Sequence, residues 1–437
     1  GVRGGEMRQS GLNRSKRQRI VTALDVGTSK ICCLIAKTAS APDWFEVAGE
    51  AIQFEVLGFG HHRAEGLKGG MVTHLDRAEH CIRSAVDAAE RMAGVIVEEA
   101  HVAVTCGRLK SETFSASVAL PTGAVREDDT LRVLAGGRQY AGRDKRTVLH
   151  ALPTGYRLDD NAGIREPLGM CGERLGIDIH AVTADEVAMR NLMLCVERCH
   201  LEVTSLVAAP YASALAVITP DEAKLGVACI DFGAGTTTLS VFADGHFIHT
   251  DAIALGGNGI TTDIARTLSA PLDHAERLKS LHGSAFATPS DEREIITFPS
   301  VGERQRGSLN QITKAQLAVI IRPRVEEILD LMRRRLAGCG HASEAARHLV
   351  LTGGGSQLTG LTELAGNIFG RPVRLGRPRA LSGLPEGGGS PDFAGAIGLL
   401  LQWARGDDKL LGRAEHRFLG TGTGYLAKVS EWIRDNF

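Results

Sequence analysis

Residues 20–36, IVTALDVGTSKICCLIA, are apolar on both flanks of a polar turn at 25–30, a pattern that predicts two buried strands joined tightly. A further strand is expected at 45–52. Over 75–94 apolar residues recur at helical spacing among charged ones, with Asp76 and Glu79 near the start, where the helix dipole favours acids. Residues 102–105 read as another strand. The texture then changes: 107–181 carries short alternating strands at 114–120 and 147–153 and a polar turn at 154–163, which reads as an inserted α/β module. Helical spacing returns at 185–199. A strand at 203–208 then leads into the small-residue segment 208–217, expected to cross between two lobes.

The stretch 225–245, LGVACIDFGAGTTTLSVFADG, repeats the first element: an apolar strand ending at an aspartate, a glycine-bearing turn, then a second strand. Leu24-Asp25-Val26-Gly27-Thr28 pairs with Ile230-Asp231-Phe232-Gly233-Ala234, an internal duplication that predicts two similar half-folds facing one cleft. A glycine-rich turn and helix at 256–268, a charged segment at 275–281 and a long amphipathic helix at 314–336 follow. The strand, turn and helix at 348–364 hold Gly353, Gly354 and Gly355 in the turn. Residues 405–424 have the polar, glycine-bearing composition of a tether, and periodicity returns at 425–437.

Composition narrows the reading. A chain of 437 residues with 43% apolar content can bury more than one core, so two to four units are expected. A net charge of −1 and few aromatics supply neither the field nor the stacking platform that nucleic acid needs. The nine scattered cysteines fit a reducing cytoplasm better than a disulfide framework. Residues 1–19 are basic without an apolar run, a disordered tail and not a signal peptide. The longest apolar stretch, 206–219, is interrupted by Pro210 and falls short of the roughly 20 residues that span a bilayer, so no crossing is expected.

Turns carrying glycine and hydroxyl residues leave backbone N–H groups open to a phosphate. Gly27, Thr28 and Ser29 supply one such turn and Gly233, Gly235, Thr236 and Thr237 the other, with Lys30 adding a point charge. Asp25 and Asp231 each end a strand at the cleft, and a hydrated Mg2+ takes one or two carboxylates plus phosphate oxygens. One such D-x-G alone is as readily an ordinary turn; two copies with a third glycine turn favour a nucleotide. Gly353, Gly354 and Gly355 would let a base or ribose approach the backbone closely. Neither a Walker sequence nor a G-x-G-x-x-G after a strand is present, so the cleft is of another type. Cys195-x-x-x-Cys199-His200 lacks two further matched zinc ligands and reads as helix packing.

ALDVGTSK, CIDFGAGTTTLSVF and VLTGGGSQLTGL resemble, in order and spacing, the two phosphate motifs and the adenosine motif of the actin-like ATPase superfamily. From 20 to 437 the chain closely resembles the FtsA family of bacterial cell-division proteins. The most specific matches are VERCHLEV at 196–203, the inserted module, PSVG at 299–302 and the terminal amphipathic stretch. The resemblance implies an α/β actin-like ATPase fold: two duplicated ribonuclease-H-like lobes around a nucleotide cleft, an inserted α/β subdomain termed 1C and a C-terminal amphipathic helix. It implies a first-lobe core at 20–106 with 182–209, the polymer-contact insert at 107–181, and a second-lobe core at 210–257 with 345–404. The small subdomain is then 258–344, the tether 405–424 and the membrane helix 425–437. By the same resemblance the protein takes ATP and Mg2+ and forms filaments with itself on the inner face of the cytoplasmic membrane at the septum. It would dock the C-terminal peptide of tubulin-like FtsZ on the small subdomain, with Arg324 in the docking surface, and recruit later divisome proteins. Glu276 and Lys279 match an E-x-x-K element that touches ribose and adenine. The plainer readings are a solvated helix face for Glu276 and Lys279, and an ion-pairing surface arginine beside Glu326 and Glu327 for Arg324.

One departure bears on chemistry. Where related ATPases carry a water-orienting glutamate before the proline of E-P-x-A-A-A, this chain reads Ala209-Pro210-Tyr211-Ala212-Ser213-Ala214. Phosphoryl transfer depends on placing that nucleophile, so at most slow hydrolysis is expected, with nucleotide acting mainly as a conformational ligand. The small residues here and at 394–398 would let two helices cross closely and act as a hinge.

In the last stretch Leu426, Val429, Trp432, Ile433 and Phe437 share one helical face opposite Lys428, Glu431, Arg434 and Asp435. Such a stripe can pack on the protein's own core; the tether and the family resemblance favour a membrane surface. With its charges balanced, the helix would bind lipid weakly, and stable attachment would need many helices in one filament. The competing readings are a sugar or acetate kinase of the same superfamily, for which no second substrate pocket or base can be named, and a pilus-assembly or cell-shape scaffold.

Overall fold

A computed structural model describes residues 19–38, 54–105, 108–302 and 309–406. The strand expected at 45–52 and the stretch 425–437 lie outside the described residues, as do nearly all of the basic tail and the tether.

The first predicted hairpin forms as β1 (Ile20–Val26) and β2 (Lys30–Thr38), with Asp25 opposite Cys32. Strand β3 (Phe54–Arg63) pairs with β2, and a short hairpin of β4 (Leu67–Lys68) and β5 (Met71–Val72) leads into α1 (Leu75–Ala93). Helix α1 begins at the His74 cap and ends at Gly94 in the left-handed region, φ 68°. It lies so close to β3 that a Cβ on Gly58 or Gly60 would fall 2.1 Å from the carbonyl oxygens of Ala89 and Ala85. Strand β6 (Glu99–Val104) runs parallel to β1.

The insert then folds as β7 (Lys110–Ala119), α2 (Glu127–Ala141), β8 (Arg146–Leu158), β9 (Asn161–Ile164) and β10 (Arg174–Asp185), in sheet order β7-β10-β8-β9. Its own small core includes Val133, Leu134, Leu175, Ile177 and Ile179. The polar stretch 154–163 is mostly strand: β8 pairs with β10 as far as Leu158 opposite Leu175. The reversal is confined to Asp159, at φ 54°, and Asp160, because the Asp159 carboxylate accepts the N–H groups of Glu173 and Arg174 at 3.0 and 2.9 Å.

After α3 (Glu186–Glu197), β11 (Glu202–Ala208) completes the first sheet in the order β11-β6-β1-β2-β3. The small-residue segment is a buried helix, α4 (Ala209–Val217), followed by the short α5 (Pro220–Leu225). The second lobe repeats the plan: β12 (Val227–Phe232), β13 (Thr237–Ala243) and β14 (His246–Ile253) form a meander. Next come α6 (Gly257–Leu268), α7 (Leu272–His282), the hairpin β15 (Ile295–Phe298) and β16 (Asn310–Thr313), and α8 (Lys314–Ala337). Strand β17 (His348–Thr352), helix α9 (Leu361–Phe369), strand β18 (Val373–Leu375) and helix α10 (Ala394–Arg405) close it. Its sheet order, β14-β13-β12-β17-β18, matches the first strand for strand, so the duplication read in the hairpins extends to whole half-folds.

Helices α4 and α10 join the halves: the first core continues through them to Val227, Cys229 and Val350 beneath the second sheet. They cross so tightly that a Cβ on Gly398 would sit 1.7 Å from the Ala212 carbonyl oxygen, the close approach expected of the small residues. A second junction was not legible in the sequence. The insert rests on β14, where Ser111 Oγ accepts the Thr250 N–H at 3.1 Å and Phe247 meets the His180 and Tyr211 rings, each at 4.7 Å. No helix among the described residues is long and apolar enough to cross a membrane.

The helix crossing is testable. Gly398→Ala is expected to lower unfolding stability by about 1–3 kcal/mol through overpacking, despite alanine's better helix propensity. Gly389→Ala, where a Cβ meets open space, should leave the denaturation midpoint unchanged; urea titration of both variants checks the contrast.

Candidate nucleotide site

The duplication is visible down to single hydrogen bonds. In the first loop the Gly27 N–H donates to the Lys30 carbonyl at 3.0 Å, and in the second the Gly233 N–H donates to the Thr236 carbonyl at the same 3.0 Å. A Cβ on either glycine would fall 2.7 Å from that carbonyl oxygen, so both turns exclude side chains for one reason. The loops touch each other: a Cβ on Gly235 would lie 2.6 Å from Thr28 Cγ2. Thr28 Oγ1 accepts the Gly70 N–H at 3.0 Å, and Ser29 is exposed. Thr236 is nearly buried, and the Thr237 hydroxyl is committed to the Leu255 carbonyl at 2.8 Å, which places it in the base of the loop and not at its rim.

Asp25 and Asp231 occupy matching positions near the ends of β1 and β12. Burial, then the charge of Asp231, pushes Asp25 up to about 6, with Lys30 opposing. Burial likewise raises Asp231, against the Ser213 hydroxyl that donates to Oδ2 at 2.5 Å and against Lys30. Other elements close on both carboxylates: a Cβ on Gly395 would sit 2.5 Å from Asp25 Oδ2, and one on Gly353 2.2 Å from Asp231 Oδ1. Two carboxylates sharing a part-buried space with incomplete compensation would fit a Mg2+ ion that takes its remaining ligands from water and phosphate oxygens.

Around this centre the structure gathers most of the predicted residues. Gly353, at φ 82°, starts a turn whose Gly355 lies on the Phe232 ring, 2.3 Å from a Cβ to Cδ1. The helix expected within 348–364 starts only near the end of that stretch. Residues Gly354–Gln357 form a single 3-10 turn, and α9 begins at Leu361 because Gly360, at φ 79°, redirects the chain. On α7, Lys279 Nζ donates to Glu276 Oε2 at 2.7 Å, to Thr261 Oγ1 at 2.9 Å and to the Gly257 carbonyl at 3.2 Å. Gly257 in turn donates its N–H to the Gly233 carbonyl at 2.9 Å, so Lys279 stands one contact behind the second loop, while the Glu276 side chain remains about half exposed. Burial opposes the Glu276 charge, but Lys279 with the Thr261 and Ser280 hydroxyls holds the carboxyl below its usual range.

Three participants were not singled out from sequence. Lys30 pairs with Asp392 and lies over the Phe393 ring, 3.5 Å from its centre, and Ser213 bonds Asp231. None belongs to a glycine motif; only the fold brings 213 and 392–393 to the cleft. Arg324 stands apart, held by Asp263 at 2.7 and 3.1 Å and by Glu327 at 2.6 Å, while Glu326 pairs with Arg322. Cys199 donates to the Cys195 carbonyl at 3.3 Å, and among the described residues no three His, Cys, Asp or Glu side chains gather to hold a metal.

The family model described as Cell division protein FtsA matches residues 228–398, and the SHS2 domain inserted in FTSA matches 106–183. Cell division protein FtsA of Agrobacterium fabrum is 45% identical over 425 residues, 97% of this chain and 96% of its own length. The chain belongs to the FtsA family of cell division proteins. FtsA of Pseudomonas aeruginosa is 34% identical, covering 96% of this chain and 98% of its own, and that of Escherichia coli K12 is 30% identical, covering 96% and 99%. Among solved structures, the PilM–PilN type IV pilus biogenesis complex aligns at TM-score 0.61 with 18% identity over 88% of this chain and 98% of that one. MreB5 of Spiroplasma citri aligns at TM-score 0.53 both with ADP bound, at 13% identity, and with AMPPNP, at 14%, over 90% of this FtsA-family chain and 99% and 98% of those. Likeness at such identity concerns the fold alone, which is actin-like.

The Asp25 environment makes a pH-dependent prediction. An aspartate ordinarily titrates near pH 4, so between about pH 4 and 6 the folded protein holds a proton that the unfolded chain has lost. Stability contributed at low pH is therefore lost as pH rises through that window. Asp25→Asn is expected to raise unfolding stability by about 3 kcal/mol at pH 7, with variant and parent converging towards pH 4. Denaturant titrations at a series of pH values measure both.

Proposed function

We propose that this cell-division protein binds ATP with Mg2+ in the cleft between its lobes, assembles with copies of itself on the inner face of the cytoplasmic membrane, and tethers FtsZ filaments there at the septum. The observation that carries the nucleotide reading is the repeated construction: two strand-ended aspartates above two loops closed by the same hydrogen bond. Nucleotides bound by the MreB5 neighbour, which shares the fold, support the same use of the cleft. Gly27, Thr28, Ser29, Gly233, Gly235 and Thr236 would offer backbone and hydroxyl groups to the phosphates. Lys30 would add charge, Asp25 and Asp231 would hold the ion, Glu276 and Lys279 would face the ribose, and Gly353, Gly354 and Gly355 the base. Bound Mg2+ supplies neutralisation of phosphate charge.

Ala209 is buried at the start of α4 and carries no carboxylate with which to orient water. Hydrolysis is therefore slow, and the nucleotide works through conformation, the α4–α10 crossing serving as hinge. The FtsZ tail docks on the small subdomain; Arg324 takes part only where an acidic group can share it with Asp263 and Glu327. The stripe Leu426, Val429, Trp432, Ile433 and Phe437 provides attachment, cooperatively along a filament. Later divisome proteins join the same assembly.

Two measurements test this. In calorimetry with ATP and Mg2+, Asp231→Ala should bind at least about tenfold more weakly, about 1.4 kcal/mol; unchanged affinity would refute the cleft assignment. In sedimentation with vesicles, the chain cut after Gly424 should lose pelleting while retaining nucleotide binding, and equal pelleting of both forms would refute the anchor.

A further inference from the structure

Both lysines at the site are matched by carboxylates: Lys279 by Glu276 and Lys30 by Asp392. Counted with Asp25 and Asp231, the cleft sets two lysines against four carboxylates, so its charge opposes a bare triphosphate. Lys30 is the lysine on the phosphate loop itself, and its neutraliser is built in. Asp392 Oδ2 takes the Lys30 ammonium, while Ser390 Oγ donates to Asp392 Oδ1 and fixes the other oxygen. The Pro391 carbonyl accepts the Gly353 N–H at 3.2 Å and the Thr352 hydroxyl at 3.4 Å, which fastens this turn to the third glycine turn. A Cβ on Gly354 would meet Asp392 Cβ at 3.4 Å, and the Phe393 ring lies beneath the ammonium.

From this arrangement we infer that Asp392 is a specificity-determining residue that makes nucleotide binding conditional on the divalent cation. By cancelling the charge of Lys30 it denies metal-free nucleotide the cationic partner on the first loop. The metal-bound form brings its own positive charge to Asp25 and Asp231 and does not need Lys30 uncompensated. The inference deepens the nucleotide reading above and rests on it.

The test is calorimetry on the full chain with ATP plus Mg2+ and with ATP plus a chelator, at fixed ionic strength, on folded material verified by its thermal transition. The parent should bind only in the presence of Mg2+. Asp392→Asn should bind metal-free ATP at least about tenfold more tightly than the parent, about 1.4 kcal/mol. Adding Lys30→Ala to Asp392→Asn should abolish that gain, since the two effects act through one ammonium. Asp392→Glu, which keeps the charge, should keep the exclusion of metal-free ATP even where packing changes. Equal exclusion by Asp392→Asn, or weaker binding of both forms, would overturn the inference and make Asp392 a support for Lys30. Absence of heat from the parent with ATP and Mg2+ would instead remove the nucleotide reading, and this inference with it.

Discussion

Asp25 and Asp231 face one part-buried space, where the Asp231 charge adds to desolvation in disfavouring ionised Asp25. Alone, such a pair is a cost to folding, and proteins keep costs of this kind mainly where a bound cation or a reaction uses them. The surrounding structure is arranged to hold the pair in place. The β1–β2 and β12–β13 hairpins present both carboxylates at the same height, and the loops beyond them are closed by identical hydrogen bonds. Because the hairpins are copies, the cleft between them is as symmetric as the sheets, and a charged ligand at its centre meets matching geometry from both lobes.

Close approach is the second condition. Gly353 and Gly395 let backbone lie against the carboxylates, Gly235 lets the loops meet, and Gly398 lets α10 press on α4. At Gly398 and Gly353 a methyl group would overlap backbone, the Ala212 and Phe232 carbonyl oxygens, which cannot easily withdraw, so these glycines trade chain entropy for contact. Lys30 links Asp392 to Asp25 and Asp231, lowering the charge cost at both aspartates, while Lys279 and Glu276 form a separate pair behind the second loop.

What the sequence disclosed, it disclosed through local pattern. The hairpins, α1, the long α8 and the duplicated aspartates carry strong periodicity or glycine punctuation, and all appear with bounds close to those read from the chain. The insert was legible as a change of texture, but α2 and β10 were not located, since a four-stranded sheet pairs residues far apart in the chain. The missed site residues have the same cause. Asp392 lies 362 positions from Lys30, and Ser213 lies 18 from Asp231 on a helix whose composition announced only small size. Glu276 and Lys279 were singled out by a family motif, yet their partner Thr261 was not, because nothing in its neighbourhood marks it as more than a helical threonine.

Helix α4 draws these threads together. Its Ser213 donates to Asp231 in the cleft, while Tyr211, two residues earlier, stacks on Phe247 of the second lobe and meets His150 of the insert at 4.9 Å. At the helix entrance the Ala208 N–H donates to His150 Nε2 at 2.9 Å, and Ala212 lies under Gly398 of α10. A displacement of Asp231 large enough to break its bond to Ser213 thus acts on a helix that has no slack on any side. It must move α10, the insert or both, since a packed core shifts between arrangements and does not deform smoothly. Ala209, at the head of the same helix, is itself buried.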